Sequence, residues 1–142
     1  MSSRRECWEN KGVSMAKYDE NGFITELDEG EIFVFGSNGF GAHNGGAAAT
    51  AVAKFGAVYG QAEGLQGQSY AINTMDGSEV MAEQVARFIK FAREHPEFTF
   101  YVTEIGCGIA RYKPEEVAPL FAGVPENVVL PPSFSECSIS LQ

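Results

Sequence analysis

The chain has 142 residues, of which 44% are hydrophobic and 20% are charged, a composition that suits a single globular domain. Its formal net charge of −9 argues against a general DNA- or RNA-binding protein, because such a protein needs a basic surface to neutralise phosphate groups. The acidic balance does not exclude a small phosphorylated ligand, since backbone N–H groups at a helix start hold phosphate without a basic side chain.

The cysteines and histidines predict neither disulfide bonds nor a metal site. Cys7, Cys107 and Cys137 are an odd number and lie far apart, and the two histidines are also distant, with no CxxC motif. Residues 1–15 carry charges and no apolar run, so we expect neither a signal peptide nor a membrane span. These features predict a cytoplasmic protein with no cofactor, no metal and no membrane partner.

The predicted elements alternate between strands and helices. We expect residues 1–30 to form a loosely ordered lead-in with a short strand near residues 23–27. Beyond it, β-rich apolar runs predict strands, and alanine-rich or 3.6-periodic runs predict helices. In chain order they are a strand at 31–35, a helix at 47–55, a strand at 68–72, a turn at 73–77, a helix from an N-cap at Ser78 to Pro96, a strand at 98–105, a helix from Pro114 to Phe121 and a strand at 127–130.

This alternation predicts an α/β fold with a mostly parallel, twisted sheet between helices, a three-layer α/β/α arrangement. We expect the ligand-binding domain to span residues 31–132 and residues 133–142 to form a tail. In such sheets, ligands bind outside the carboxyl ends of the strands. Each glycine-rich loop of the chain follows a predicted strand, so these loops should gather at that edge.

The loop of residues 36–46 is the first candidate site. It has five glycines and leads into an alanine-rich helix, whose first N–H groups attract an anion. It is neither a Walker loop nor a Rossmann fingerprint, and a flexible surface loop is the alternative interpretation. The candidate ligand-binding residues in it are Ser37, Asn38, Gly41, Asn44, Gly45 and Gly46.

The loop of residues 106–112 is the second candidate site. Its glycines permit a tight turn with exposed amides, and Arg111 is placed either to clamp a phosphate or to form a surface ion pair. Cys107 is a candidate nucleophile with His43 as its partner, although a small buried cysteine is the simpler interpretation. The candidate ligand-binding residues here are Gly106, Cys107, Gly108, Ile109 and Arg111.

The third candidate site combines residues 60–67 with the turn at 74–77. Thr74 is a candidate ligand-binding residue in this turn. Asp76 is a candidate to activate water or to hold a ribose hydroxyl, and a simple turn or capping aspartate is the alternative. Asp76 and His43 are therefore the two candidate catalytic residues.

Five segments between Glu31 and Leu130 resemble macrodomains, the ADP-ribose-binding α/β modules. The likeness is specific to a divergent bacterial and phage branch of macrodomain-like proteins and looser to other macrodomains. The segments are FVFGSN at 33–38, YGQ at 59–61, GLQGQSYAI at 64–72, TMDG at 74–77 and TEIGCGI at 103–109.

The resemblance implies a role for several residues. Asn38 would meet the distal ribose, Gly45 and Gly46 would lie beneath that ribose and the diphosphate, and residues 106–109 would hold the phosphates with their amides. Macrodomain-like hydrolases that remove ADP-ribose from DNA or from glutamate often carry an aspartate after the GCG turn and a lysine after the middle strand. Here Ala110 follows that turn and residues 73–76 contain no lysine. The resemblance therefore supports binding better than it supports that catalytic mechanism.

Three functions remain open at this stage. The first is binding of ADP-ribose or a related phosphorylated nucleotide, with any hydrolysis assigned to water near Asp76 or His43 and with Asn38 orienting the ribose. The second is a thiol-dependent enzyme that uses Cys107 and His43. The third is a non-catalytic domain that sequesters a nucleotide signal or binds a protein. The resemblance also implies an acidic adenine contact near the first strand, for which Asp28, Glu29 and Glu31 are equivalent candidates.

Overall fold

A computed structural model describes Tyr18, Phe23, Ile24 and residues 26–42, 46–107 and 110–134. These residues form a mixed α/β fold around a five-stranded, mostly parallel sheet. The strands are β1 (Glu31–Ser37), β2 (Gly64–Gln66), β3 (Ser69–Asn73), β4 (Thr99–Val102) and β5 (Val128–Val129). The helices are α1 (Gly46–Lys54), α2 (Ser78–Glu94), α3 (Pro114–Val117) and the 3-10 helix η1 (Ala118–Phe121).

The sheet has the strand order β2-β3-β1-β4-β5. β1 is parallel to both of its neighbours, pairing Val34 with Tyr70 of β3 and with Val102 of β4. β5 is parallel to β4, whereas β2 is antiparallel to β3. The expected parallel sheet is therefore confirmed, with one antiparallel strand at its edge.

Each face of the sheet carries a hydrophobic core. Because side chains alternate along a strand, Ile32 and Val34 of β1 belong to one core, while Phe33 and Phe35 belong to the other. Residues of α2, α3 and η1 complete the first core, and residues of α1 together with Tyr18 and Ile24 complete the second. Full burial of a side chain of this size contributes about 1.5–3 kcal/mol, so both cores stabilise the sheet substantially.

The two long helices form where the sequence predicts them. α1 is alanine-rich, buries Ala48 and Ala51 and is followed by Gly56, whose φ of +76° suits the end of a helix. α2 buries one apolar stripe, which includes Met81, Val85 and Phe88. The predicted N-cap at Ser78 is wrong, because Gly77 holds the cap position and Ser78 is already helical.

β2 is absent from the sequence prediction, which treats residues 60–67 as a loop. The segment is nevertheless a strand, since Gln66 pairs with Ser69 across a two-residue turn that begins at Gly67. Gly67 has a φ of +62°, and a Cβ there would lie 2.7 Å from the carbonyl oxygen of Gly56. A glycine is therefore required at this first turn position, as in type II′ hairpins.

β4 is shorter than the predicted strand at 98–105. Thr103 donates to the carbonyl of Val34 from both its N–H (3.0 Å) and its hydroxyl (2.8 Å), and the N–H of Ile105 then turns back to Thr103 (2.7 Å). The N–H bond of Thr103 to Val34 is the last rung of the ladder between β1 and β4, and the bond of Ile105 to Thr103 is a turn, so the chain leaves the sheet after Val102.

The remaining predictions differ in smaller ways. The helix predicted from Pro114 continues beyond Val117 as 3-10 helix, and the last strand is confined to Val128–Val129. The short strand expected near residues 23–27 is wrong for its described residues, although Ile24 is buried in a core. Asn127 was not predicted to matter, yet its side-chain amide donates to the carbonyls of Ala92 (2.9 Å) and His95 (3.1 Å) at the end of α2.

Candidate functional site

The loops after β1 and β4 leave the sheet toward opposite faces. The loop after β1 leads to α1, which packs on the core that contains Phe33 and Phe35. The loop after β4 leads to α3, whose Val117 lies in the core on the other face. Neighbouring parallel strands whose connections diverge in this way leave a crevice between their carboxyl ends. The candidate site is therefore the carboxyl edge of the sheet, centred between β1 and β4.

Gly36 lies beside residues that follow the two neighbouring strands, β3 and β4. A Cβ on Gly36 would lie 3.2 Å from the Thr74 hydroxyl oxygen and 3.6 Å from the amide nitrogen of Gly106. Thr74 is buried and donates its N–H to the carbonyl of Ser37 at 3.0 Å. The structure thus brings together three of the predicted site residues, namely Ser37, Thr74 and Gly106.

Asn38 organises the loop that follows β1. Its side-chain oxygen accepts hydrogen bonds from the N–H groups of Phe40 (3.0 Å) and Ala42 (3.0 Å), and its amide nitrogen donates to the carbonyl of Ala42 (3.2 Å). These bonds make residues 38–42 a defined turn.

The same loop is held against the segment that precedes β2. The hydroxyl of Ser37 donates to the carbonyl of Ala62, and the N–H of Gly60 donates to the carbonyl of Gly41 at 2.8 Å. Gly41 is buried in this contact, so its described role is packing between two loops. The loops of the first and third candidate sites form one surface as a result.

α1 begins at Gly46, which is exposed and has a φ of +57°. A Cβ on Gly46 would meet no heavy atom of the described residues within 4 Å. The predictions for His43, Asn44 and Gly45 lie outside the described residues.

Asp76 and Asn73 lie at the end of β3, beside the β1 loop. The side-chain amide of Asn73 donates to Oδ2 of Asp76 at 2.7 Å. The N–H of Asn73 in turn donates to the side-chain oxygen of Gln84 in α2, also at 2.7 Å. Asn73 and Gln84 are both buried, whereas Asp76 is exposed. Neither Asn73 nor Gln84 is among the predicted site residues. The usable signal in the sequence is an amide on the apolar face of a helix, since Gln84 lies three residues after Met81 and four before Phe88.

In the loop after β4, Gly106 has a φ of +76° and lies against Met81 and Tyr112. Cys107 is partly buried and packs against the core below the loop, as the simpler interpretation of it expects. Arg111 is exposed and has a φ of +66°, a left-handed conformation that side-chain-bearing residues rarely adopt and that concentrates at functional sites. Gly108 and Ile109 lie outside the described residues.

Exposed apolar side chains surround this edge of the sheet. Phe40, in the β1 loop, is 87% exposed, and Tyr59 and Met75 are also exposed in the two neighbouring loops. Sequence inspection did not single them out, although an aromatic residue inside a glycine-rich loop is a usable signal.

The three acidic candidates for an adenine contact lie at the other edge. Asp28 and Glu29 precede β1 and Glu31 begins it, with the N–H of Asp28 donating to the Glu31 carboxylate at 2.7 Å. A strand of this length spans about 20 Å, which separates these residues from the carboxyl end of β1.

The described residues contain no group of three or more histidine, cysteine or acidic side chains that could hold a metal ion. Within the same residues, no helix has the length and apolar character that crossing a membrane requires. Fold and site together define a mixed α/β protein with glycine-rich loops at the carboxyl ends of its parallel strands. Comparison with protein-family models, with curated proteins and with solved structures finds no match to the chain.

Proposed function

We propose that the protein binds ADP-ribose or a related phosphorylated nucleotide in the crevice between the carboxyl ends of β1 and β4. The observation that carries this proposal is the divergence of the two loops beside Gly36 and Gly106, whose strand ends lie in contact. A crevice of this kind is where open α/β sheets bind their ligands.

Backbone amides are the groups that would hold the diphosphate. The start of α1 at the exposed Gly46 offers N–H groups that lack partners within the helix, together with the positive end of the helix dipole. Arg111 adds a positive charge on the opposite loop. This mode of binding is compatible with a net charge of −9, because it needs few basic side chains.

The macrodomain resemblance belongs to the same proposal. Packing of α1 on one face of the sheet and of α2 and α3 on the other supports a three-layer α/β/α arrangement of the macrodomain kind. In this assignment the domain of residues 31–132 is the nucleotide-binding unit. Hydrolysis of an ADP-ribosyl bond, where it occurs, would use water beside Asp76.

Calorimetric titration with ADP-ribose tests the proposal, with AMP and ribose 5-phosphate as control ligands. We expect a micromolar dissociation constant for ADP-ribose and binding at least tenfold weaker for both controls, because neither control carries a diphosphate flanked by two riboses. No heat with ADP-ribose would overturn the proposal. Incubation with an ADP-ribosylated protein, followed by measurement of released ADP-ribose, then separates a hydrolase from a domain that only binds or sequesters the nucleotide.

A further inference from the structure

We infer that Asp76 accepts a hydrogen bond from a ribose hydroxyl of the bound nucleotide, and that Asn73 and Gln84 are the residues that position its carboxylate. This inference rests on the proposed function and assigns one contact within it.

A buried amide pair fixes the base of this arrangement. Asn73 and Gln84 are only 4% and 7% exposed, and the side-chain oxygen of Gln84 accepts the backbone N–H of Asn73 at 2.7 Å. The side-chain oxygen of Asn73 accepts the N–H of Met75 at 2.9 Å, so its amide nitrogen faces Asp76 as a donor. Buried amides that are hydrogen-bonded in this way hold a fixed orientation.

Asp76 is held on a second side by Gly39. A Cβ on Gly39 would lie 2.6 Å from Oδ2 of Asp76, so this carboxylate oxygen packs directly against the loop that follows β1. Oδ2 is therefore enclosed by Asn73 and Gly39. Among the described residues none donates a hydrogen bond to Oδ1 of Asp76, and the side chain is exposed to solvent.

An exposed carboxylate oxygen held in this way selects a hydrogen-bond donor and repels a phosphate. The donors of ADP-ribose are its ribose hydroxyls and the adenine amino group. We place the diphosphate at the start of α1, at the end of the loop that contains Gly39. Each ribose is bonded directly to the diphosphate, so its hydroxyls lie nearer to Asp76 than the adenine amino group does. Asn38 is less suited to this contact, because its side-chain oxygen already accepts two N–H groups.

Gly39→Ala tests the position of the carboxylate with little backbone strain, because Gly39 lies outside the left-handed region and the three atoms nearest to the added methyl group belong to Asp76 and Asn73. We expect Asp76→Ala and Gly39→Ala each to weaken ADP-ribose binding about tenfold, the size of a lost hydrogen bond to a charged group. In the double variant Gly39→Ala should add no further loss, since the carboxylate that it displaces is gone.

Asn73→Asp tests the positioning role separately. The new side chain retains an oxygen for the N–H of Met75 but replaces the donor to Asp76 by a second carboxylate. The affinity for ADP-ribose should therefore fall about tenfold. In a chain that already carries Asp76→Ala, the same substitution should cause no further loss. Gln84→Met should act in the same direction because it removes the acceptor for the N–H of Asn73. Thermal unfolding shows whether each variant is folded. If Asn73→Asp and Gln84→Met do not fold, Gly39→Ala still tests whether the position of the Asp76 carboxylate matters for binding.

Two further ligands identify the group that Asp76 meets. With inosine diphosphate ribose, which lacks the adenine amino group, the loss caused by Asp76→Ala should persist, and its disappearance would overturn the ribose assignment. With pyrophosphate the same variant should bind no more weakly than the wild type, and an equal loss there would mean that Asp76 only shapes the loop. If the wild type binds ADP-ribose and these variants match it, this inference alone fails. If the wild type does not bind, the proposed function fails with it.

Discussion

Gly41 and Gly60 join the loop after β1 to the segment before β2. The N–H of Gly60 donates to the carbonyl of Gly41 at 2.8 Å, and a Cβ on Gly41 would lie 2.8 Å from the Cα of Gly60. Real Cβ atoms essentially never approach backbone this closely, and the φ of Gly41 is +67°. The two loops that border the candidate site can therefore meet only because residue 41 has no side chain.

Gly41→Ala should destabilise the protein by more than about 2 kcal/mol, since the methyl group adds a backbone clash to the strain of a left-handed conformation. Gly123→Ala is the matched control, because Gly123 has a similar φ of +77° but no heavy atom of the described residues within 4 Å of its Cβ position. The control should lose only about 1–2 kcal/mol. Urea unfolding measures both free energies, and equal losses would contradict the close contact.

Gly46→Trp should abolish ADP-ribose binding while the protein stays folded. The indole ring would occupy the open space at the start of α1, where we place the diphosphate, and would also cover the first N–H groups of the helix. Gly123→Trp also places an indole at a residue of positive φ, but beside the end of α2, where Arg93 donates to the Gly123 carbonyl, and it should bind normally. Calorimetry and thermal unfolding of the two variants provide the comparison, and unchanged affinity in Gly46→Trp would refute the assignment of this site.

Cys107→Ala should leave the affinity for ADP-ribose within about twofold of the wild type, because the partly buried thiol packs below the loop and only the backbone amides would meet phosphate. A thiol-dependent enzyme would instead lose its activity with this substitution. Alkylation at neutral pH, in a chain with Cys7 and Cys137 replaced by serine, provides a second measurement. Rapid labelling of Cys107 would support the thiol mechanism.

Stability should fall as the pH rises from 10 to 12 because of Tyr70. The pKa of Tyr70 is raised from 10.0 to about 12, mainly by burial and also by the nearby Glu63 carboxylate, while Arg87 partly opposes the shift. In this interval the unfolded chain loses the phenolic proton and the folded protein keeps it, so rising pH favours unfolding. Urea unfolding across the interval should show a shallower decline for Tyr70→Phe than for the wild type. Identical slopes would contradict the raised pKa.

Local patterns in the sequence determine most of the elements. β1 is a β-rich run that ends near a glycine, and α2 shows a 3.6-residue period of apolar residues, so both are predictable from a short window. Alternation of these elements also determines the parallel sheet, because parallel strands need crossover connections. The glycine-rich composition of the loops indicates the edge at which a ligand site is expected.

Tertiary structure alone decides the relationships between residues that are distant in the chain. β2 forms because it pairs with β3, and a three-residue segment has too weak a pattern of its own to predict a strand. The contacts of Asp76 with Asn73 and Gly39 likewise depend on the register of β1 against β3, which sets Ser37 beside Asn73. The contact between the Asp76 carboxylate and the loop of Gly39 is thus a consequence of strand pairing and packing. Neither can be predicted from a short window of sequence.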